Sequence, residues 1–63
     1  MWTEILVTND LERKNKLKEL LGANSILCRI KKIKNENSTS YGILVPYAEA
    51  NISVELMLDN NLN

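Results

Sequence analysis

The sequence predicts a single α+β domain of strand, helix, strand, strand, helix order, and three observations carry that reading. Apolar residues alternate at strand spacing in Ile26, Cys28 and Ile30 and again in Tyr41, Ile43 and Val45. Ahead of both runs, Leu11, Leu17, Leu20 and Leu21 recur at helical spacing, with Arg13, Lys14, Lys16, Lys18 and Glu19 on the remaining positions. Pro46 then separates the last strand-like run from a terminal segment whose apolar residues fall four apart.

Trp2–Thr8 reads as the first strand, because Ile5, Leu6 and Val7 follow Trp2 and Thr3 and the run stops at Asn9-Asp10. Asn9 suits an N-cap, and Glu12 stands where a capping-box carboxylate belongs, so a helix is expected from about Asp10 to Leu21. Gly22 is the expected left-handed residue that ends it. The second strand is expected over Ile26–Lys34, with Leu27, Arg29, Lys31 and Ile33 on the face opposite Ile26, Cys28 and Ile30. Asn35–Ser40 has no apolar residue and reads as a loop, and Tyr41–Val45 reads as a central third strand stopped by Pro46.

The last segment fits two periods. Ile52, Val54, Leu56 and Leu58 alternate as in a strand, whereas Ala48, Ile52 and Leu56, or Val54 and Leu58, are spaced as in a helix. The helix is favoured, since Ala48, Glu49 and Ala50 are compatible with it and a second helix covers sheet that the first leaves bare. Residues 60–63 are expected to fray. A crossover through the first helix leaves a gap between the first two strands, which the third fills antiparallel to both. The expected architecture is a ferredoxin-like fold lacking its last strand, with order 1-3-2 and both helices on one face.

A chain of 63 residues sits near the size at which one apolar core barely offsets chain entropy, so association is a natural supplement. With one cysteine and no histidine, neither an intramolecular disulfide nor a usual zinc ligand set is available. The start Met1-Trp2-Thr3-Glu4 lacks the sections of a signal peptide and no apolar run approaches a membrane span; a cytoplasmic location, without membrane contact, is expected.

The chain resembles a small prokaryotic family named for a signal-transducing role and related in fold to the trimeric nitrogen-regulatory signalling proteins. The resemblance rests on Trp2, on Val7-Thr8-Asn9-Asp10, on Leu20-Leu21, on the strand start near Ile26, and on Ile43-Leu44-Val45-Pro46 before a terminal helix. It implies a ferredoxin-related fold and a signalling role, and it carries over no catalytic residue. A lysine-rich second strand and few acids after Pro46 depart from the family pattern.

No histidine, glycine-rich phosphate loop or nucleophile beside a base is present, so a non-enzymatic module without a cofactor is expected. Cys28 shares parity with Ile26 and Ile30 and reads as a small core residue rather than a reactive thiol. All 8 basic residues lie between Arg13 and Lys34, although the net charge is zero. Lysines on an edge strand commonly guard against unwanted pairing. Arg29, Lys31, Lys32 and Lys34 also form the candidate anion site of a second reading, a nucleic-acid or nucleotide-phosphate binder.

The sheet face opposite the helices is the main candidate. Leu6, Leu27, Ile33, Leu44 and Trp2 are expected there as an apolar patch, with Arg29 and Lys31 setting orientation by charge. Such a patch fits a homo-oligomer or a protein partner, and the unpaired edge of the first strand offers a second docking surface through strand addition.

Overall fold

The computed structural model describes residues 1–63. It consists of β1 (Trp2–Thr8), α1 (Leu11–Ala23), β2 (Arg29–Lys34), β3 (Thr39–Pro46), a single 3₁₀ turn (Tyr47–Glu49) and α2 (Ala50–Asp59). The three strands pair in the order β1-β3-β2, with β3 antiparallel to both neighbours. Leu17 and Leu21 of α1, Met57 of α2 and Ile43 and Val45 of β3 belong to one buried cluster, so both helices cover the same sheet face. This is the α+β, ferredoxin-like arrangement with its last strand missing.

Asp10, not Asn9, caps α1. Its Oδ1 accepts from the backbone N–H of Glu12 at 3.0 Å and of Arg13 at 3.2 Å, while its own N–H donates to Thr8 Oγ1 at 3.0 Å. A carboxylate satisfies two orphan donors and also places full negative charge at the positive end of the helix dipole. Displaced from the capping-box position, Glu12 pairs with Lys16 one turn on, at 3.1 Å.

Gly22 stays inside α1, and the left-handed residue is Ser25, with φ 59°. Ser25 N–H donates to the Gly22 carbonyl and Ile26 N–H to the Leu21 carbonyl, which is a Schellman stop. Ile26, only 5% exposed, is thereby the apolar residue that closes the helix end. This is why β2 begins at Arg29 and not at Ile26.

The same device ends α2. Asn61 has φ 55° and donates to the Leu58 carbonyl, and Leu62 N–H donates to the Met57 carbonyl at 2.8 Å. In both helices the cap is an asparagine whose Nδ2 donates to the carbonyl four residues back: Asn24 to Leu20 and Asn60 to Leu56. Leu62 packs against the core, and its carbonyl accepts from Arg13 Nε at 2.7 Å. The expected frayed tail is therefore tied down, because its apolar residue is the closing contact of a helix stop.

The terminal segment is a helix that begins after the 3₁₀ turn that follows Pro46. Ala50, Ser53, Val54 and Met57 form its inner stripe, while Ile52 and Leu58 face outward. Ser53 is fully buried because its hydroxyl donates to the Glu49 carbonyl at 2.7 Å. The β2–β3 loop is shorter than expected: Thr39 already pairs with Lys34, and Asn35 N–H donates to the Ser38 carbonyl across a four-residue turn.

Strand β1 contains an irregularity that matters for the surface. Glu4 pairs with Leu44, yet Leu6 pairs with Ile43, so Ile5 is an extra residue with no partner on β3. A β-bulge of this kind turns two successive side chains toward the same face. Ile5 and Leu6 both pack against the core, and Val7 points the other way, 49% exposed.

Candidate functional site

Rows of paired residues define the open face. Trp2 lies opposite Pro46; Glu4, Leu44 and Arg29 form the next row; Val7, Gly42 and Lys31 form the one after; and Ser40 stands opposite Ile33. Trp2, Arg29, Lys31, Ile33 and Leu44 thus share one face of the sheet, as the alternation predicts. Leu27 lies outside β2 and is 73% exposed.

Leu6 does not belong to this surface. The bulge at Ile5 reverses the parity of β1, which sends Leu6 to the core side and brings Val7 to the open face in its place. Sequence reasoning missed Val7 because three consecutive apolar residues, Ile5-Leu6-Val7, fit either parity. The triplet itself is the signal: a half-buried strand without a bulge alternates.

Two side-chain arrangements organise the face. The Arg29 guanidinium stacks on the Trp2 ring, 4.3 Å from its centroid, and to reach from β2 to β1 it crosses the central strand β3. Glu4 leans toward Gly42, so closely that a Cβ at position 42 would meet Glu4 Oε1 at 2.5 Å and Lys31 Cβ at 3.8 Å. The missing side chain at Gly42 is the space that the Glu4 carboxylate occupies. The face therefore combines an apolar strip from Trp2, Pro46, Leu44 and Val7 with one acid on β1 and two bases on β2.

The four candidate anion-binding residues are divided between the two sides of the sheet. Arg29 and Lys31 lie on the open face, whereas Lys32 and Lys34 pair with Tyr41 and Thr39 at the parity of Ile30 and Ile43, on the helix side. One aromatic platform is occupied by Arg29, and Tyr41 carries Lys14 of α1 at 4.8 Å on the helix side. Cys28 is half-buried and packs against the core.

Elsewhere the surface holds little relief. An open groove of about 350 Å³ runs between α1 and the chain end, lined by Lys16, Glu19, Leu20, Ala23, Asn60 and Leu62. No acidic or thiol side chains converge where they could hold a metal ion, and no helix is long and apolar enough to cross a membrane. No family model, curated protein or solved structure matches the chain.

Proposed function

We propose that this chain is a small non-enzymatic interaction module, of the kind used in signalling, that docks onto protein through the open face of its sheet. One observation carries the reading. The helices cover only the side of β3 that carries Ile43 and Val45, and the uncovered side carries Leu44, Val7, Trp2 and Ile33 with charges at its margin. Only 9 of 63 residues are buried in the isolated chain, so further burial of apolar surface would add to a small core.

Binding of nucleic acid or nucleotide phosphates, the second reading, has weaker support. Its four basic residues do not share a face, and Trp2 already stacks on Arg29. Single-strand binding relies on a continuous basic groove with free stacking rings. The proposed role extends to the cytoplasmic location and the signal-transducing kinship that the sequence resemblance implies.

Light scattering of wild type and of Leu44→Asp, beside a titration with a single-stranded oligonucleotide at low and high salt, separates the two readings. Protein association that the substitution abolishes supports docking through the face. Oligonucleotide binding that weakens steeply with salt and ignores Leu44→Asp moves the function to the basic residues.

A further inference from the structure

β1 and β2 are the two edges of the sheet, and their residues treat those edges differently. Arg29, Lys31, Lys32 and Lys34 guard β2 against pairing with another strand. β1 has neither a base nor a proline, and Glu4 is its one charged residue. Its outer backbone groups are unused: outside the ladder with β3, no hydrogen bond of the chain involves the backbone of residues 2–7. Tyr47 N–H donates to the Met1 carbonyl, which turns Met1 and Thr3 toward β3 and leaves the N–H and C=O of Trp2 and Glu4 on the free edge. Beyond the bulge, Val7 shares the face of Glu4 and its backbone groups point the same way.

The bulge decides which strand fits this edge. From Thr3 to Thr8 the side chains of β1 run core, open, core, core, open, core, because Ile5 and Leu6 both turn to the helix side. Opposed residues in an antiparallel ladder share a face, so a straight strand leaves one residue of β1 over, as β3 does at Ile5. This order of faces is its own reverse. A second β1 running antiparallel sets Thr3 opposite Thr8, Glu4 opposite Val7 and Ile5 opposite Leu6, with every pair matched and none left over. Shifted by one residue, the same two strands oppose Thr3 to Val7, core against open face; shifted by two, they oppose Glu4 to Ile5 or Leu6 to Val7. The device that deters a straight partner thus admits a copy of itself.

We infer that the chain forms a homodimer by pairing β1 with β1 of a second copy about a two-fold axis perpendicular to the sheet. The strand order becomes β2-β3-β1-β1-β3-β2, with the helices of both copies on one face. Ile5 and Leu6, half-buried in the single chain, meet the Leu6 and Ile5 of the second copy on that face. Glu4 faces Val7 and not another acid, its carboxylate leans over Gly42 and away from the junction, and the two Glu4 residues stand about 10 Å apart. The pairing uses an edge and leaves the open face free in both copies, so it stands independently of the docking proposed above. One strand against one strand is a contact below the standard interface, and a dissociation constant between about 10 µM and 1 mM is expected.

Sedimentation equilibrium of wild type, Val7→Pro and Leu44→Asp up to about the 1 mM ceiling of that range reads the assembly, with circular dichroism to show that each variant is folded. Val7→Pro deletes an N–H that points to the free edge, where proline is tolerated, and is expected to weaken self-association at least about tenfold. Leu44→Asp is expected to leave it unchanged. The register is read by oxidising Glu4→Cys, Val7→Cys and their equimolar mixture and mapping the disulfides by mass spectrometry; both positions are exposed. Opposed residues of a ladder lie within about 5.5 Å between Cα atoms, inside the reach of a disulfide, whereas Glu4 and its mate, or Val7 and its mate, lie beyond the limit of about 7 Å. The mixture is expected to join position 4 of one chain to position 7 of the other, a bond that neither variant can form alone. A wild type that stays a single chain throughout overturns the homodimer. A dimer that Leu44→Asp breaks, or that a folded Val7→Pro leaves intact, overturns the pairing through β1. Bonds joining position 4 to position 4 or position 7 to position 7, or no bond between positions 4 and 7, overturn the register even where Val7→Pro does not fold.

Discussion

Ile43 and Leu44 are neighbours on the central strand and face opposite worlds. Ile43 is fully buried among Leu17, Leu21 and Met57, while Leu44, of the same volume and hydrophobicity, is covered only by the side chains that lie across the open face. The contrast teaches that the stability of the isolated domain resides on one side of its sheet, and the apolar surface available for association on the other. At about 0.05–0.15 kcal/mol per residue, a chain of this size has roughly 3–9 kcal/mol of stability in total. Ile43→Ala is expected to remove about 2–5 kcal/mol of that, enough to unfold much of the population, because it leaves a cavity between sheet and helices. Leu44→Ala is expected to cost only roughly 1–2 kcal/mol at dilutions where the chain is single, since its side chain is only partly buried and no helix packs over it to leave a closed cavity. Chemical denaturation of the two variants compares them directly; equal losses would mean that the open face is as much core as the helix side.

The bulge in β1 permits a sharper form of the same comparison. Leu6→Lys is expected to cost about 1–3 kcal/mol, because it drives an ammonium toward the core cluster, whereas Val7→Lys should stay within about 0.5 kcal/mol. Strict alternation from Glu4 predicts the reverse order, so a pair of melting curves decides which side chain each face receives. A destabilised Val7→Lys beside a tolerant Leu6→Lys would remove the bulge from the account.

How far the sequence discloses this fold depends on which kind of force decides each feature. The parity of β3 is legible because Tyr41, Ile43 and Val45 are large and Gly42 intervenes, and the element order follows from periodicity. The parity of β1 is not, since Ile5-Leu6-Val7 can be read either way and the choice is made by pairing with β3. Asn9 and Asp10 are nearly equivalent caps by composition. The structure chooses Asp10 through the Thr8 hydroxyl, a contact with no sequence period. Gly22 is the usual signal for a helix stop, yet the stop is built at Ser25 because Ile26 lies one residue beyond it and can be buried there. Of the candidate surface, Trp2 and the members within β2 and β3 were legible by alternation alone, and Leu6, which follows the bulge in β1, was exchanged for Val7.

Gly42→Ala tests the two sides of β3 against each other at a single position. No glycine here has positive φ, so alanine fits the backbone and lowers the entropy of the unfolded chain. The new methyl meets only the far end of an exposed Glu4 side chain, which can swing aside. The isolated domain is expected to gain up to about 1 kcal/mol in denaturant, while association through the open face weakens as the methyl and the displaced carboxylate crowd its centre. Loss of both stability and association would instead mean that the carboxylate is held rigidly over the glycine.

The smallest expected effect concerns what covers the open face when nothing is docked on it. Arg29 lies across β3 to stack on Trp2, so its aliphatic stem shields part of the strip while its charge stays in water. A double-mutant cycle with Trp2→Ala and Arg29→Ala is expected to give a coupling of about 0.5 kcal/mol, the lower end for an exposed cation over an aromatic ring. A coupling of that size is too weak to close the face against a partner, yet it orients the guanidinium over the Trp2 ring before contact. A coupling near about 2 kcal/mol, the magnitude of a desolvated pair, would mean that Arg29 and Trp2 seal the strip from within. The open side of the sheet would then be a second, thin core rather than a docking surface, and the comparison between Ile43 and Leu44 would lose its meaning.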